Sequence, residues 1–316
     1  MRTSPTRPNR RQLLKGVALT AVAAASAGSE AAAGQTAQPA TVPTTRLGDR
    51  PMSSGTTLTV ERRDDIVLIG FNRPQIQNRV DPTTRAALGE VLYQYDHDPS
   101  LRAAVLFGHG PNFSRGIDVD ASQAGLISGQ RQATPPAANS VDLGGPDGRH
   151  LTKPIIAVVH GDTWNMGHEL YLSCDIRIAA ANTNFGQDEN THGRFPGGGA
   201  TIRVVREAGW GNAMRYMLTG DHWSADESLR MGVTQMVAPT QQAALELGVQ
   251  TARTIAACGP LGIRATLASA RQVIDPNEAD AISKLGAQYA ALYRTEDFVE
   301  GRKAEAEGRP PRYTGR

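Results

Sequence analysis

Two acidic residues stand in the stretch GHELYLSCDIRIAAANTNFGQDEN, Gly167 to Asn190, at places where carboxylates are costly to bury. Glu169 lies in an apolar run that reads as a buried helix, and Glu189 follows a run that reads as a buried strand. A buried carboxylate is paired, neutralised or put to use. For Glu169, a capping or salt-bridged role is the structural alternative. Glycines mark two further places. A strand pattern, AAVLFGHG, runs into Gly108 and Gly110 and then into the loop NFSRGIDV with Gly116. In VVHGDTWNMGHEL a strand ends at Gly161, a polar loop follows, and a helix is expected to begin near Asn165 or Met166. The start of a helix presents free amides and positive potential. Two such amides converging from two loops would form an oxyanion hole for an enolate or a tetrahedral oxyanion. Two ordinary strand-to-loop turns would leave the same pattern. In GRFPGGGAT, Gly197 to Gly199 follow a proline and precede a helix pattern, as a phosphate cradle or a tight turn would. The lysine of a P-loop and the spacing of a dinucleotide fingerprint are both missing.

The elements that must carry these residues follow from periodicity. TLTVERRDDIVLIGFNRP reads as a hairpin about an Arg-Asp turn. DPTTRAALGEVLYQYDHD has a cap at Asp81, proline at the first helical position and apolar residues at helical spacing. IIAVVHG and IRIAAA are further buried strands, and strands alternating with helices predict an α/β architecture. Residues 120–150, rich in proline and glycine, read as a surface loop or a flap. From Ser224 onward the chain is expected to be helical. SADESLRMG opens with a Ser cap, has Glu three residues later and ends on Gly232. A long amphipathic stretch runs from Ala279 to Ala306 before RPPRY stops it.

The composition narrows the function class. The chain has 316 residues and a formal net charge of +2, part of it in the first fifteen residues, which gives no basic footprint for nucleic acid. Cys174 and Cys258 are too few for a cysteine-built zinc site, and Cys174 reads as a buried free thiol. The N-terminus carries NRRQLLKG, then a short alanine-rich apolar run, then Ala31-Ala32-Ala33. The paired Arg10 and Arg11 resemble a twin-arginine export signal over residues 1–33, followed by a flexible linker over 34–55. A disordered basic tail on a cytoplasmic protein is the alternative. The apolar run is too short to remain in a bilayer as a spanning helix.

FNRP, NFSRGIDV, KPIIAVVHG, GHELYLSCDIRIAAANTNFGQDE, GRFPGGGAT, LTGDHWSADESLRMGVTQMV and TEDFVEGRKAEAEGRPP occur in the order seen in the crotonase, or enoyl-CoA hydratase/isomerase, superfamily. The chain resembles that superfamily over roughly residues 56–313. The resemblance implies an α/β spiral of ββα turns over 56–250 and a helical C-terminal region over 251–316, whose amphipathic stretch either packs on neighbours in a trimer or hexamer or covers the chain's own core. It implies catalytic acids at Glu169 and Glu189, facing each other across an activated water, and oxyanion amides at Ile117 and Met166. Substrate-lining positions fall at Phe113, Gly116, Asp118, Trp164, Gly167, Pro196, Gly197 and Gly198. No metal or redox cofactor is implied, and coenzyme A, where used, is the carrier part of an acyl thioester substrate.

The departures open alternatives. Hydratases of the family usually carry three glycines where this chain has Asn165-Met166-Gly167, and the Met166 side chain could narrow the hole. His168 and His192 are polar where the family is often small or apolar; each is either a pocket acid or base, or a structural histidine. Trp164 either packs beside the acyl group or shields a loop. Arg115 either approaches an anionic group or is solvated. Acyl-CoA thioesters are cytoplasmic metabolites, whereas the N-terminus reads as an export signal. Two further readings therefore stand beside the hydratase: a CoA-independent C–C hydrolase acting on a β-dicarbonyl through a histidine, and a non-catalytic binding member.

Overall fold

The computed structural model describes residues 57–127, 138–145, 151–314 and 316. The expected signal segment 1–33 and linker 34–55 lie outside the described residues. The first half of the chain holds β1 (Leu58–Arg63), β2 (Ile66–Phe71), α1 (Pro82–His97), β3 (Ala103–Gly108) and α2 (Val119–Ile127). The site region follows with β4 (Ile155–Val159), β5 (Asp162–Trp164), α3 (Met166–Leu172), β6 (Ile176–Ala180) and β7 (Asn184–Gly186). Then come α4 (Ala200–Ala208), α5 (Trp210–Thr219), β8 (Trp223–Ser224), α6 (Ala225–Arg230) and β9 (Met236–Ala238). The chain ends in α7 (Gln241–Ala256), α8 (Pro260–Arg271), α9 (Asp275–Leu292) and α10 (Glu296–Glu307).

One sheet has six strands in the order β1-β2-β3-β4-β6-β9, and a smaller one has the order β5-β7-β8. The β1–β2 hairpin is antiparallel, as its sequence predicts, while β2, β3, β4, β6 and β9 run parallel. Alternate strand residues point to opposite faces. Ile155, Ala157 and Val159 of β4 join a core with Leu88, Leu92 and Tyr95 of α1, and with Tyr171 and Phe185. Ile156 and Val158 join the other face, covered by Ala244, Val249, Ala252 and Ala256 of α7. Both faces are thus buried, which is why these strands read as continuous apolar runs.

The local signals show at the expected ends. Asp81 accepts from Thr84 N at 2.7 Å with Pro82 at the first helical position, and Ser224 accepts from Glu227 N at 3.2 Å. Cys174 is a buried free thiol and Cys258 an exposed one. Three expectations differ. The stretch expected to be loop opens with α2, whose start is met by Asp118 Oδ1 accepting from Ala121 N at 3.2 Å. The segment after Ser224 is not all helix, because β9 extends the sheet beside β6. The long C-terminal amphipathic stretch is two helices, interrupted where Thr295 accepts from Phe298 N at 3.1 Å and starts α10. Residue 250 falls within α7, which packs on the sheet, so no element boundary lies there.

Candidate active site

The two carboxylates come from different elements. Glu169 sits in the first turn of α3, and Glu189 begins the 3-10 turn Glu189–His192 just after β7. Glu169 Oε1 accepts from Gly198 N at 2.6 Å, in the turn before α4, and from Ala200 N at 3.3 Å, the first amide of α4. A helix start favours an anion, so this cradle stabilises the ionised carboxylate. A Cβ on Gly198 would come within 2.0 Å of Glu169 Oε2, so any larger residue there must push the carboxylate aside. The glycine run is therefore a turn opening a helix, and the anion at that helix start is the protein's own.

Glu189 has the opposite surroundings. It is 4% exposed, and its Oε2 has no hydrogen-bond partner among the described residues. Burial, and then the neighbouring charge of Glu169, push its carboxyl well above the usual range, with Arg194 acting against them. One site thus holds a carboxylate anchored as an anion beside a carboxyl favoured in its protonated form. That asymmetry lets one group accept a proton and the other donate one.

The two amide loops lie side by side. Ser114 and Thr163 form a bridge, Trp164 N donates to Ser114 O at 3.0 Å, and a Cβ on Gly167 would meet Ser114 O at 2.4 Å. Val80 N donates to Gly116 O and Asp118 N to Val80 O, both at 2.9 Å, on either side of Ile117. Neither Ile117 N nor Met166 N donates to a described residue outside the regular elements. Gly116 has φ 93°, and a Cβ there would come within 3.3 Å of Met166 N. Glycine leaves the space beside that amide open.

The other anticipated positions have plainer surroundings. Phe113 is fully buried, edge to face with Phe71 at 5.5 Å, and supports the loop from the core. Asp118 caps α2, as above. Pro196 is buried in the turn and Gly197 is half-buried beside it. Trp164 is held between the Arg115 guanidinium, 4.3 Å from its ring centroid, and the His222 ring at 4.5 Å. Arg115 is not solvated alone, since its Nε donates to Asp162 Oδ2 at 2.7 Å.

His168 is fully enclosed by Tyr171, Phe185 and Trp223, at ring distances of 6.1, 5.3 and 5.2 Å. Gln187 Nε2 is 3.0 Å from His168 Nδ1 and 3.1 Å from Asn165 O. A carbonyl only accepts, so the amide nitrogen faces both groups and His168 Nδ1 is the unprotonated nitrogen. Burial lowers this histidine to about 3, which keeps it neutral. His168 is thus a neutral histidine in an aromatic box, which fits the structural alternative, while its Nε2 has no hydrogen-bond partner among the described residues. His192 is half-buried at the end of its 3-10 turn, its Nδ1 3.9 Å from Glu305 Oε2 of α10. It shares that turn with Glu189, and its side chain lies beside α10.

The sequence reading did not single out Asp188 or His222, and it marked Asn165 only as the helix start and a departure from the family's glycines. Asn165 has φ 51° and ψ −123°, a strained conformation for a residue with a Cβ, at an expected cost of about 1–3 kcal/mol. The available signal was asparagine standing where glycine is usual, since asparagine is among the few residues with a Cβ found at positive φ. Among the described residues no group of three or more His, Cys, Asp or Glu is placed to hold a metal.

A family model described as enoyl-CoA hydratase/isomerase matches residues 61–316. An enoyl-CoA hydratase of Mycobacterium tuberculosis is 32% identical over 276 residues, covering 84% of this chain and 99% of its own. An (E)-benzylidenesuccinyl-CoA hydratase of Thauera aromatica is 33% identical over 266 residues, covering 82% and 99%. The crystal structure of a carnitinyl-CoA hydratase from Mycobacterium avium superposes with a TM-score of 0.74 at 28% identity, over 83% of this chain and all of that one. With this coverage and the architecture above, the chain is an enzyme of the enoyl-CoA hydratase/isomerase family and has the α/β crotonase fold.

Proposed function

We propose that the chain hydrates an α,β-unsaturated acyl-CoA thioester, with Glu169 as the base and Glu189 as the acid. The thioester carbonyl accepts from Ile117 N–H and Met166 N–H, which stabilise the enolate that forms there. Glu169 takes a proton from water as its oxygen bonds to the β-carbon. The electron pair of the C–C double bond passes to the enolate, and the α-carbon then takes the proton of Glu189. Transfer of the water proton from Glu169 to Glu189 restores the starting state. Coenzyme A acts as the carrier portion of the substrate.

The observation that carries this assignment is the contrast between the two acids. Glu169 receives two backbone N–H groups, whereas for Glu189 burial and the repulsion of its neighbour outweigh its own backbone amide and Arg194. The test is hydration of a short enoyl-CoA by the purified mature chain, followed by loss of the conjugated thioester absorbance. E189Q should lower kcat by about 10²–10⁴, the usual worth of a placed acid. An inactive wild type across acyl chain lengths, or an active E189Q, overturns the proposal. Cleavage of a free β-dicarbonyl dependent on His168 would favour the C–C hydrolase. That reading draws no support from a histidine held neutral in an aromatic box. Ligand binding without turnover would favour a non-catalytic member.

Two further proposals concern setting. The C-terminal helices pack on other copies in a trimer or hexamer; α8, which buries none of its residues, supports this, and solution mass tests it. Residues 1–33 direct export by the twin-arginine route. A reporter fused to residues 1–40 should leave the cytoplasm, and should stay there when Arg10 and Arg11 are replaced. Among the described residues no helix is long and apolar enough to cross a membrane.

A further inference from the structure

Behind the two amides, one connected chain of polar side chains runs from one loop to the other. Arg115, two residues before Ile117, donates to Asp162 Oδ2 at 2.7 Å. Asn184 Nδ2 donates to Asp162 Oδ1 at 3.2 Å and lies 3.2 Å from His222 Nδ1. That contact makes His222 Nδ1 the acceptor and leaves Nε2 to donate to Asp188 Oδ2 at 3.1 Å. Asp188 and Asn165 then bind each other reciprocally. Asn165 Nδ2 donates to Asp188 Oδ1 at 2.9 Å, and Asp188 N donates to Asn165 Oδ1 at 3.2 Å.

The end of this chain matters because of backbone geometry. The ψ of residue 165 sets the plane of the peptide that carries the Met166 N–H. At ψ −123° that peptide turns its oxygen to Gln187 Nε2 and Glu169 N, so its N–H points the opposite way. A glycine holds this conformation without strain, whereas asparagine needs something to hold it there.

We propose that Asp188 is a positioning residue for the oxyanion site: it ties the Asn165 side chain and thereby aims the Met166 amide, while His222 fixes the Asp188 carboxylate. The proposal rests on the thioester reading only for its kinetic readout. A rival route exists, because the Asp188 charge also bears on Glu189. That route is indifferent to residue 165, so a double-mutant cycle separates the two.

The experiment compares wild type, D188A, N165G and N165G/D188A in the full mature chain with a short enoyl-CoA. D188A should lower kcat by about 10–100-fold, part of the worth of one oxyanion donor, with KM changed less than about threefold. The carbonyl stretch of the bound thioester, read by infrared difference spectroscopy, should move back toward its value in water. In the N165G background the D188A loss should shrink to less than about threefold, because glycine needs no tie. An equal loss in both backgrounds, or an unmoved stretch, overturns the proposal. A crystal structure of D188A reads the geometry without substrate. A rotated 165–166 peptide supports the brace, and an unchanged one overturns it. If the wild type neither binds nor hydrates a thioester, the functional reading fails while that structure still decides the brace.

Discussion

The helices α1 and α3 both begin just after an Asx residue, and they use it in opposite ways. Asp81 is extended, closes the first turn of α1 by accepting from Thr84 N, and is followed by Pro82, which has no N–H to satisfy. Asn165 has a left-handed φ, makes no side-chain cap, and sends its amide to Asp188. The start of α1 is therefore finished, and the start of α3 keeps its first N–H available. The helix α4 is a third case: it begins on Gly199 without a side-chain cap, and a carboxylate from another helix takes its opening amides. The start of α1 is closed by its own neighbouring side chain, whereas the starts of α3 and α4 leave amides for a group brought from elsewhere, as the proposed function requires.

The comparison breaks first at Gly198. If the opening amides of α4 exist to hold Glu169, a methyl group there must displace the carboxylate, since a Cβ would lie 2.0 Å from its Oε2. G198A should lower kcat by about 10²-fold, the low end for a placed base. Overpacking should also cost about 1–3 kcal/mol of stability. Full activity in G198A would show that the cradle is structural only.

The pH dependence of stability sharpens the contrast between the two acids. Glu189 is raised when folded, by burial and by the charge of Glu169. Its contribution is therefore fully present below its unfolded value of 4.5 and is lost as pH rises toward the folded value. E189Q cannot titrate. The stability of E189Q minus that of wild type should be flat below about pH 4 and then widen by up to about 1.4 kcal/mol per pH unit. Denaturant melts across pH measure it. A constant gap would mean that Glu189 is ionised in the folded protein like any surface carboxylate.

Much of this was legible in the sequence, for reasons that also explain what was not. Long buried strands such as β2 and β4 announce themselves by apolar runs, and the starts of α1 and α6 by their capping residues. The strands β5, β7 and β8 have two or three residues each, too few for any periodicity to show. The break between α9 and α10 did leave a signal, Thr295 followed by Glu296 and Asp297, which the long amphipathic pattern masked. Glu169 and Glu189 could be singled out one at a time because each sits oddly in an apolar context. The Asn165–Asp188–His222 link could not. Its members are ordinary polar residues, and only the pairing of β5, β7 and β8 brings them together. For His168 the sequence left two readings open, a pocket acid or base and a structural histidine, because only the fold shows the rings that enclose it and hold it neutral.

The smallest effect belongs to the helix that does no chemistry. Removing the Asp81 cap should cost about 1 kcal/mol, the typical worth of an N-cap. The ion pair with Arg73, at 2.7 Å and only partly buried, adds less than about 1 kcal/mol to that. The measurement is a denaturant midpoint for D81A beside its kcat on the same substrate. Lower stability with kcat unchanged is expected, because no hydrogen bond of Asp81 reaches the glutamates or the amide loops. This is the mirror image of D188A, which should lower kcat by a larger factor than stability alone would suggest. If D81A lowered kcat as D188A does, the distinction between a closed helix start and an open one would lose its functional meaning. The activity would then depend on general rigidity and not on where the Met166 N–H points.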